Sequence, residues 1–162
     1  LWIGEIIMKT FVKILVAIIV VAAICGGVYL VLPETAQIFV KGNIQYRTND
    51  EAKDKIDSLK KNEIVYTDVQ SNGTYGDALD KKAKTTVWYY EDTTNGGFRI
   101  TYYGTKVSMD LAKYGSDGTY IDKTLKAVFD FPAGGKSTVT LYIGDEQCDD
   151  AMKAAVLQAL AN

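Results

Sequence analysis

The fold that this sequence predicts is decided by residues 87–111, VWYYEDTTNGGFRITYYGTKVSMDL. Apolar or aromatic residues alternate with polar residues on both sides of Asn95-Gly96, a dipeptide that favours a two-residue turn between antiparallel strands. With these two residues as the turn, Tyr89 pairs with Tyr102 on the facing strand. The stretch therefore predicts a β-hairpin whose register is set by its turn.

A second turn is predicted at Gly104-Thr105, so that the chain reverses again and a third strand joins the hairpin. In this register Arg99 pairs with Asp110, while the first hairpin pairs Arg99 with Asp92. Both registers place the same residues on the core face, namely Val87, Tyr89, Phe98, Ile100, Tyr102, Val107, Met109 and Leu111. The opposite face then carries Trp88, Tyr90, Arg99, Thr101, Tyr103, Lys106, Ser108 and Asp110. A slip of one residue would exchange the two sets, because side chains alternate between the faces of a strand.

Apolar residues also alternate in residues 125–131 and 139–143, which predict another hairpin. A three-residue loop at Gly134-Gly135-Lys136 pairs Phe131 with Val139, whereas a two-residue loop would place phenylalanines opposite threonines. The longer loop is therefore preferred, and the hairpin adds two strands to a predicted antiparallel meander.

The chain then ends in a predicted helix from about Glu146 to Leu160, with Asp145 as its N-cap. Its apolar stripe comprises Cys148, Met152, Ala155 and Ala159, widened by Ala151, Val156 and Leu160. A stripe at this spacing is typical of a helix that packs one face against the rest of a domain.

Upstream of the meander, residues 33–47 are predicted to form a short stalk that leads into a strand at Ile38 to Val40. A helix then begins with Thr48 as N-cap and Glu51 as its capping-box partner, and it ends near Asn62. The apolar stripe of this helix consists of Ala52, Ile56 and Leu59.

Glu63 to Val69 predicts a further strand, and the polar residues from Ser71 to Lys84 predict a surface loop. The element order indicates an α+β fold in which an antiparallel β-meander packs against one or two helices. A meander closed by a C-terminal helix resembles the pleckstrin-homology-like (PH-like) architecture, and a helix followed by a meander resembles cystatin-like and nuclear-transport-factor-2-like folds. These resemblances concern element order and no specific motif.

The N-terminal residues predict a membrane anchor. The 19 residues from Ile14 to Leu32 carry no charge, and a helix of that length nearly spans the ~30 Å hydrocarbon core of a bilayer. Lys9 and Lys13 precede this run and Glu34 follows it. The positive-inside rule therefore places the N-terminus in the cytoplasm and the C-terminal part outside the cell membrane.

Three alternatives compete with the anchor. Val21-Ala22-Ala23 would suit a signal peptidase, although cleavage there would leave an apolar stub. Cys25 resembles a lipoprotein cysteine, although Ile24 before it is larger than such a signal accepts. Leu32-Pro33-Glu34-Thr35-Ala36 resembles a sortase motif, but a sorting signal places that motif before a C-terminal hydrophobic tail. Pro33 has a simpler role, since proline ends a helix.

The sequence is accordingly divided into four parts. Residues 1–7 are interpreted as a translated leader, because Gly4-Glu5 can be encoded as a purine-rich ribosome-binding site of a bacterial gene; an ordinary N-terminal extension is the alternative. The other parts are the signal-anchor helix at residues 8–32, the stalk and first strand at 33–47, and an extracytoplasmic α+β domain at 48–162.

The composition disfavours several classes of function. The chain has no histidine, so the commonest general base and metal ligand is absent. Its net charge is −2, which disfavours nucleic acid as a partner. Cys148 could act as a nucleophile near a helix N-terminus, but a small apolar residue on a buried stripe is its simpler role. Four acidic residues around it could bind calcium, although such residues are expected in a first helical turn. They are Asp145, Glu146, Asp149 and Asp150. No catalytic residue, metal site or cofactor is predicted.

The remaining signal is aromatic, since the chain contains 11 tyrosines and 2 tryptophans. The predicted registers place several of these rings on the face opposite the core, where they could stack on sugars or anchor a protein partner. The candidate binding residues are Trp88, Tyr90, Arg99, Tyr103 and Tyr142. The alternative is that a helix or the stalk covers this face and makes it a second core.

Together these features predict a non-catalytic binding module, anchored in the membrane of a bacterial cell and exposed on its outer side. Residues 14–32 would contact the lipid bilayer, and the partner would be an envelope protein or a wall glycan. Two alternatives remain open. A carboxylate-based envelope hydrolase would need a deep acidic cleft, and a small immunity-type membrane protein would act through its membrane segment.

Overall fold

The computed structural model describes residues 26–27, 29, 32–66 and 69–161. The chain divides into two units, Leu1–Gln37 and Ile38–Asn162. The predicted leader and most of the predicted anchor lie outside the described residues. Among the residues that are described, no helix is both long enough and apolar enough to cross a membrane.

Helix α1 runs from Glu34 to Thr48, so the predicted stalk and the predicted strand at Ile38 to Val40 are wrong. That strand rested on three consecutive residues, a run too short to outweigh the helix signals around it. Glu34 in the first turn and Arg47 in the last turn both complement the helix dipole. Contacts with the sheet, described below, hold the helix in place.

Helix α2 runs from Asp50 to Lys61 and has Asn62 as its C-cap, which confirms the predicted helix and its end. Its N-cap is Asn49, whose side chain accepts a hydrogen bond from the Ala52 backbone N–H at 3.0 Å. The predicted cap, Thr48, is instead the last residue of α1 and bonds back to the Ile44 carbonyl oxygen at 2.9 Å. The predicted stripe of Ala52, Ile56 and Leu59 is buried.

A small antiparallel hairpin follows, formed by β1 (Glu63–Tyr66) and β2 (Val69–Thr74). Helix α3 then runs from Tyr75 to Lys82, so the loop predicted from Ser71 to Lys84 is wrong. Thr74 caps α3 by accepting the Asp77 backbone N–H at 3.2 Å. The helix is short and its exposed side is rich in charge, which is why its composition resembles that of a loop.

Five antiparallel strands form the main sheet in sequential order, which confirms the α+β class and the meander. They are β3 (Thr85–Asp92), β4 (Phe98–Asp110), β5 (Thr119–Phe131), β6 (Thr138–Ile143) and β7 (Glu146–Gln147).

The register between β3 and β4 differs by one position from the predicted one. Trp88, not Tyr89, pairs with Tyr102. The turn contains three residues and not two, because the Thr93 backbone N–H bonds to the Gly97 carbonyl oxygen at 2.9 Å. Gly96 takes the left-handed conformation with φ +76°, as in a three-residue hairpin loop that ends in a glycine bulge. The additional loop residue turns every β3 side chain to the other face.

The predicted turn at Gly104-Thr105 is also wrong, because β4 continues to Asp110. At Gly104 the strand passes close to its neighbours, and an added Cβ would lie 2.8 Å from the Ala83 Cβ. The glycine therefore provides space within a strand. The chain reverses only after β4, at a 3₁₀ turn over Ala112–Tyr114.

Between β5 and β6 the faces are as predicted but the pairing is shifted by two positions. Phe129, rather than Phe131, pairs with Val139, and Ala127 pairs with Leu141. The loop between the strands is longer than the three predicted residues. A shift of two positions keeps each side chain on the same face, because the period of a strand is two.

The C-terminal helix α4 runs from Asp150 to Ala161, so its predicted start at Glu146 is wrong. Gly144 and Asp145 form the turn between β6 and β7, and Asp145 is therefore not the N-cap. Asp149 takes that role and accepts the Met152 backbone N–H at 2.8 Å. Cys148 lies before the helix and is buried, whereas Ala151 is exposed. The rest of the predicted stripe is buried, namely Met152, Ala155, Val156, Ala159 and Leu160.

The core lies between the inner face of the sheet and the helices α2, α3 and α4. Its largest fully buried side chains are Tyr102, Ile56, Ile64, Leu79, Ile100, Leu111, Leu125, Leu141 and Leu157. The Tyr102 hydroxyl donates a hydrogen bond to the Leu79 carbonyl oxygen of α3 at 2.7 Å. This bond gives a partner to the most deeply buried hydroxyl of the core. A hydroxyl buried without a hydrogen-bond partner would destabilise the fold.

Helix α1 packs along β3, the first strand of the sheet. The Gln45 side-chain amide donates to the Tyr90 carbonyl oxygen at 2.9 Å and accepts the Tyr90 backbone N–H at 2.8 Å. Gly42 permits this approach, since an added Cβ would lie 2.9 Å from the Trp88 carbonyl oxygen and would also collide with Val87. The helix therefore covers part of an edge that would otherwise expose unpaired backbone groups.

Candidate functional site

The candidate site is the outer face of the five-stranded sheet, which lies opposite the core. Alternation along each strand and the observed registers place its residues in three rows across the sheet. The rows are Glu91–Arg99–Asp130–Thr138, Tyr89–Thr101–Val128–Thr140 and Val87–Tyr103–Lys126–Tyr142. Most of these side chains are partly or fully exposed, although Val87 and Thr101 are buried.

The row formed by Tyr103, Lys126 and Tyr142 places a cation between two aromatic rings. Lys126 pairs with Tyr103 on one side and with Tyr142 on the other. Its ammonium nitrogen lies 5.5 Å from the centroid of the Tyr103 ring and 5.0 Å from that of the Tyr142 ring. Each contact is within the range of a cation–π interaction, worth about 0.5–1 kcal/mol at an exposed site. The row therefore holds a positive charge and two phenol rings in a defined arrangement.

Arg99 lies two rows away, beyond the row that contains Thr101, and it forms an ion pair across the sheet. Its Nε atom is 2.7 Å from Oδ1 of Asp130, and this carboxylate raises the pKa of the guanidinium. Glu91 pairs with Arg99 from the other side. The partners predicted from the sequence, Asp92 and Asp110, are therefore wrong, because both predicted registers were wrong.

Trp88 and Tyr90, two of the predicted binding residues, do not lie on the outer face. The exposed fraction of their side chains is only 5% and 4%, since the one-position shift of β3 turns them into the core. The Trp88 indole N–H donates to Oδ1 of Asp80 at 2.9 Å, and its ring lies 4.9 Å from the Tyr102 ring. These contacts give Trp88 a structural role.

Tyr90 is held by its hydroxyl as well as by its backbone. The hydroxyl donates to Oδ1 of Asp92 at 2.6 Å, and this bond raises the pKa of Tyr90 to about 12. The predicted set of five is therefore divided. Arg99, Tyr103 and Tyr142 share the outer face, whereas Trp88 and Tyr90 support the core beneath it.

Two residues of the outer face, Tyr89 and Lys126, are not among the binding residues predicted from the sequence. Tyr89 was assigned to the core by the wrong register. Lys126 lies at an alternate position within residues 125–131, so the alternation of that strand placed it opposite the core. What the sequence did not indicate was its position between two tyrosines, since this depends on which strands are neighbours.

The predicted alternative, in which another element covers the aromatic face, applies to one end of it. Helix α1 packs against Val87, whose side chain is 4% exposed. Tyr89, Tyr103, Lys126 and Tyr142 keep an intermediate exposure. The central part of the face therefore remains accessible to a partner.

The geometry disfavours Cys148 as a nucleophile. Burial raises the pKa of its thiol to about 11, and the carboxylates of Glu146 and Asp149 act in the same direction. A thiol in this environment stays protonated near neutral pH, whereas the thiolate is the nucleophile.

Two of the four acidic residues around Cys148 have structural partners. Asp149 caps α4, and Asp150 forms an ion pair with Lys153 at 3.1 Å. Within the part of the chain that the structure describes, no three Cys, Asp or Glu side chains converge closely enough to hold a metal ion.

Comparison with protein-family models, with curated proteins and with solved structures finds no match for this chain. The resemblances to PH-like, cystatin-like and nuclear-transport-factor-2-like folds therefore rest on element order alone.

Proposed function

We propose that this protein is a membrane-anchored, extracytoplasmic binding module of a bacterial cell envelope that acts without catalysis. The observation that carries the proposal is the row Tyr103–Lys126–Tyr142, in which two accessible phenol rings flank one ammonium group. Amphipathic aromatic rings beside a fixed cation are typical of surfaces that bind sugars or anchor protein partners.

The rigidity of the platform supports this role. The three residues of the row project from the central strands β4, β5 and β6, each of which is hydrogen-bonded to a neighbour. Side chains on such strands are held more firmly than side chains on loops, so less conformational entropy is lost on binding. A wall glycan would stack on the rings and bond to the neighbouring threonine hydroxyls, and a protein partner would use the rings as anchors.

The proposed location rests on the uncharged run from Ile14 to Leu32 and on the lysines before it. The test uses bacteria whose wall has been removed and whose cell membrane is intact. Protease added from outside should degrade the domain that follows Leu32 while the membrane stays sealed. A soluble cellular protein that begins near Ile24, or a domain that resists the protease, would refute the proposed anchor.

The binding role is tested with the full-length protein in lipid nanodiscs and purified peptidoglycan sacculi as the glycan probe. The double variant Tyr103→Ala/Tyr142→Ala should lower co-sedimentation at least about fivefold, since buried aromatic anchors carry most of a binding energy. Lys126→Gln should also lower co-sedimentation, because it removes the ammonium group between the two rings. Lys136→Gln, in the exposed loop after β5, is its matched control.

A protein partner is tested in cells by a photocrosslinking residue at position 103, compared with one at position 113 on the exposed 3₁₀ turn. The proposal expects either weaker sedimentation of the outer-face variants or a crosslink specific to position 103. Equal sedimentation of variants and controls, combined with the same crosslinks from both positions, would overturn it. Exchanging residues 14–32 for an unrelated anchor should leave the binding unchanged, whereas an immunity-type protein would lose its function.

A further inference from the structure

The three rows of the outer face contain two cations, and these differ in what surrounds them. Arg99 forms its ion pair with Asp130, and Glu91 occupies the paired position on its other side. The Lys126 ammonium lies between two phenol rings instead. Among the described residues, it forms no ion pair or hydrogen bond with a carboxylate. A negative group on a ligand is therefore expected at Lys126, where no carboxylate competes with it.

The row that contains Lys126 extends beyond its two flanking rings. Gln147 on β7 pairs with Tyr142 and is exposed, so an amide group continues the row. At the other end the row closes against α1, since Val87 is buried there. Neighbouring strands lie about 4.8 Å apart, so the positions from Tyr103 to Gln147 span about 14 Å. This length suits an elongated ligand that crosses the strands.

The groups beside this row are mostly neutral and polar. Tyr89 and Thr140 lie in the adjacent row and are partly exposed, and Val128 is the one aliphatic residue of that row. The core of a protein–protein interface is usually more apolar than this. Phenol, hydroxyl and amide groups on an open sheet match a glycan better, because a glycan offers many hydroxyls and stacks through its ring carbons. The composition of the face therefore favours a glycan over a peptide.

Two carboxylates limit the charge of the ligand at the open end of the row. Asp145 and Glu146 are both exposed and directly precede Gln147 in the chain. A glycan with a carboxylate on every sugar would place one of them near these residues, where like charges repel. A neutral sugar at this position avoids the repulsion, and its hydroxyl or amide groups can bond to Gln147. The carboxylates of the glycan should therefore lie on separated sugars.

We infer that this row binds an acidic glycan in which carboxylate-bearing sugars alternate with neutral ones. One carboxylate contacts the Lys126 ammonium, the sugar rings lie against the exposed surfaces of Tyr103 and Tyr142, and the next neutral sugar bonds to Gln147. The inference rests on the proposed function, because it names the ligand class of the same row.

The test is a titration of the full-length protein in detergent micelles, followed by amide chemical shifts. The probe is a hyaluronan hexasaccharide, in which glucuronate alternates with N-acetylglucosamine. Its matched partner is the same hexasaccharide with the carboxylates reduced to alcohols. The acidic probe should saturate with shifts centred on Tyr103, Lys126, Tyr142 and Gln147. The neutral probe should bind about tenfold more weakly, because it loses a charge-assisted hydrogen bond.

Variants of Lys126 isolate the contribution of its charge. Lys126→Met keeps the aliphatic stem and should lower the affinity for the acidic probe about tenfold, while the affinity for the neutral probe stays unchanged. Lys126→Arg keeps the charge and should retain most of the affinity. Lys136→Met, in the exposed loop after β5, is the control and should change neither affinity. Added salt should weaken binding of the acidic probe selectively, because an exposed charge contact is screened.

The outcomes separate this inference from the proposed function. Equal affinity of the unmodified protein for the two probes would overturn the inference, and the proposed function would stand if Tyr103→Ala/Tyr142→Ala still weakened both. No saturation by the acidic probe at about 10 mM would also overturn it. Hexaglutamate that bound the row as tightly as the acidic probe would assign the row to an acidic peptide instead. The comparison of probes uses the unmodified protein, so it holds even if a variant fails to fold.

Discussion

The Gln45 side chain pairs with the backbone of Tyr90 in the way that a neighbouring strand would. It donates to the Tyr90 carbonyl oxygen at 2.9 Å and accepts the Tyr90 N–H at 2.8 Å. One amide group thus satisfies both outward backbone groups of a residue on the first strand of the sheet. This pairing also fixes α1 against the domain, although the two residues are 45 positions apart in the sequence.

Gln45→Ala should lower the free energy of unfolding by about 1–3 kcal/mol, because it leaves a partly buried donor and acceptor without their partners. Gln45→Glu should also destabilise the fold, since a carboxylate faces the Tyr90 carbonyl oxygen. Asn43→Ala is the control, because the Asn43 amide donates within its own helix, to the Phe39 carbonyl oxygen at 2.8 Å. Urea denaturation measures all three, and equal midpoints for Gln45→Ala and Asn43→Ala would contradict the pairing.

The division of the aromatic residues between core and outer face predicts different costs for two substitutions. Trp88→Ala should lower the free energy of unfolding by about 3–5 kcal/mol, the usual range for removal of a large buried aromatic side chain. Tyr103→Ala should lower the free energy of unfolding by less than about 1 kcal/mol, since it removes mainly a cation–π contact at an exposed surface. Denaturation curves of the two variants are compared directly. Similar losses for both would mean that the register of β3 is not the one described.

The three-residue turn predicts that residue 96 tolerates only certain side chains. Gly96 has a φ of +76°, and an ordinary residue pays about 1–2 kcal/mol for the left-handed conformation. Gly96→Ala should therefore lower stability by about that amount. Gly96→Asn should cost clearly less, because asparagine adopts this conformation more readily. Thermal unfolding ranks the two variants, and an alanine variant as stable as the unmodified protein would contradict the turn.

The environment of Cys148 predicts slow alkylation of the native protein. Burial raises the pKa of its thiol from 9.0 to about 11, so at pH 8 the thiolate fraction falls roughly a hundredfold. Iodoacetamide labelling in a Cys25→Ser background, native against urea-unfolded, measures the effect. Equal rates in the two states would show that the thiol is accessible and ionised.

The same pKa gives a pH dependence of stability with a defined sign. The native state holds the thiol proton more tightly than the unfolded state, whose pKa is near 9.0. The stabilisation is therefore complete below about pH 9 and is lost as the pH rises through about 11. Cys148→Ala should remove this part of the alkaline decline in stability.

The sequence predicts which face a residue occupies wherever alternation is local and long. Ile100 and Tyr102 in β4, and Phe129 in β5, are core residues as their spacing indicates. The face of β3 depends instead on the number of residues in one turn. Thr94-Asn95-Gly96 suits both a two-residue loop at Asn95-Gly96 and a three-residue loop, so the pattern alone cannot select between them.

Helices that depend on tertiary contacts were the least predictable elements. Helix α1 is held by the bonds between its Gln45 side chain and the Tyr90 backbone on a distant strand, which no local pattern shows. Helix α3 did carry a local signal, since Thr74 is followed three residues later by Asp77, a spacing typical of a helix N-terminus. Its charged composition concealed that signal.

The candidate site was predicted in part for the same reasons. Tyr103, Tyr142 and Arg99 were placed correctly, because β4 and β6 kept their predicted faces. The position of the Lys126 ammonium between two rings depends on which strands are neighbours, and local pattern does not show the strand order.

The close approach of Gly42 to β3 has a consequence for recognising relatives of this protein. Any side chain at this position would collide with Val87 and the Trp88 carbonyl oxygen, and Gln45 lies one helical turn further on. A diverged homologue that keeps the docked helix is therefore expected to retain this glycine, and a Gly-x-x-Gln pattern ahead of an aromatic strand would keep both contacts. This short fingerprint gives a search criterion where comparison of whole sequences detects nothing.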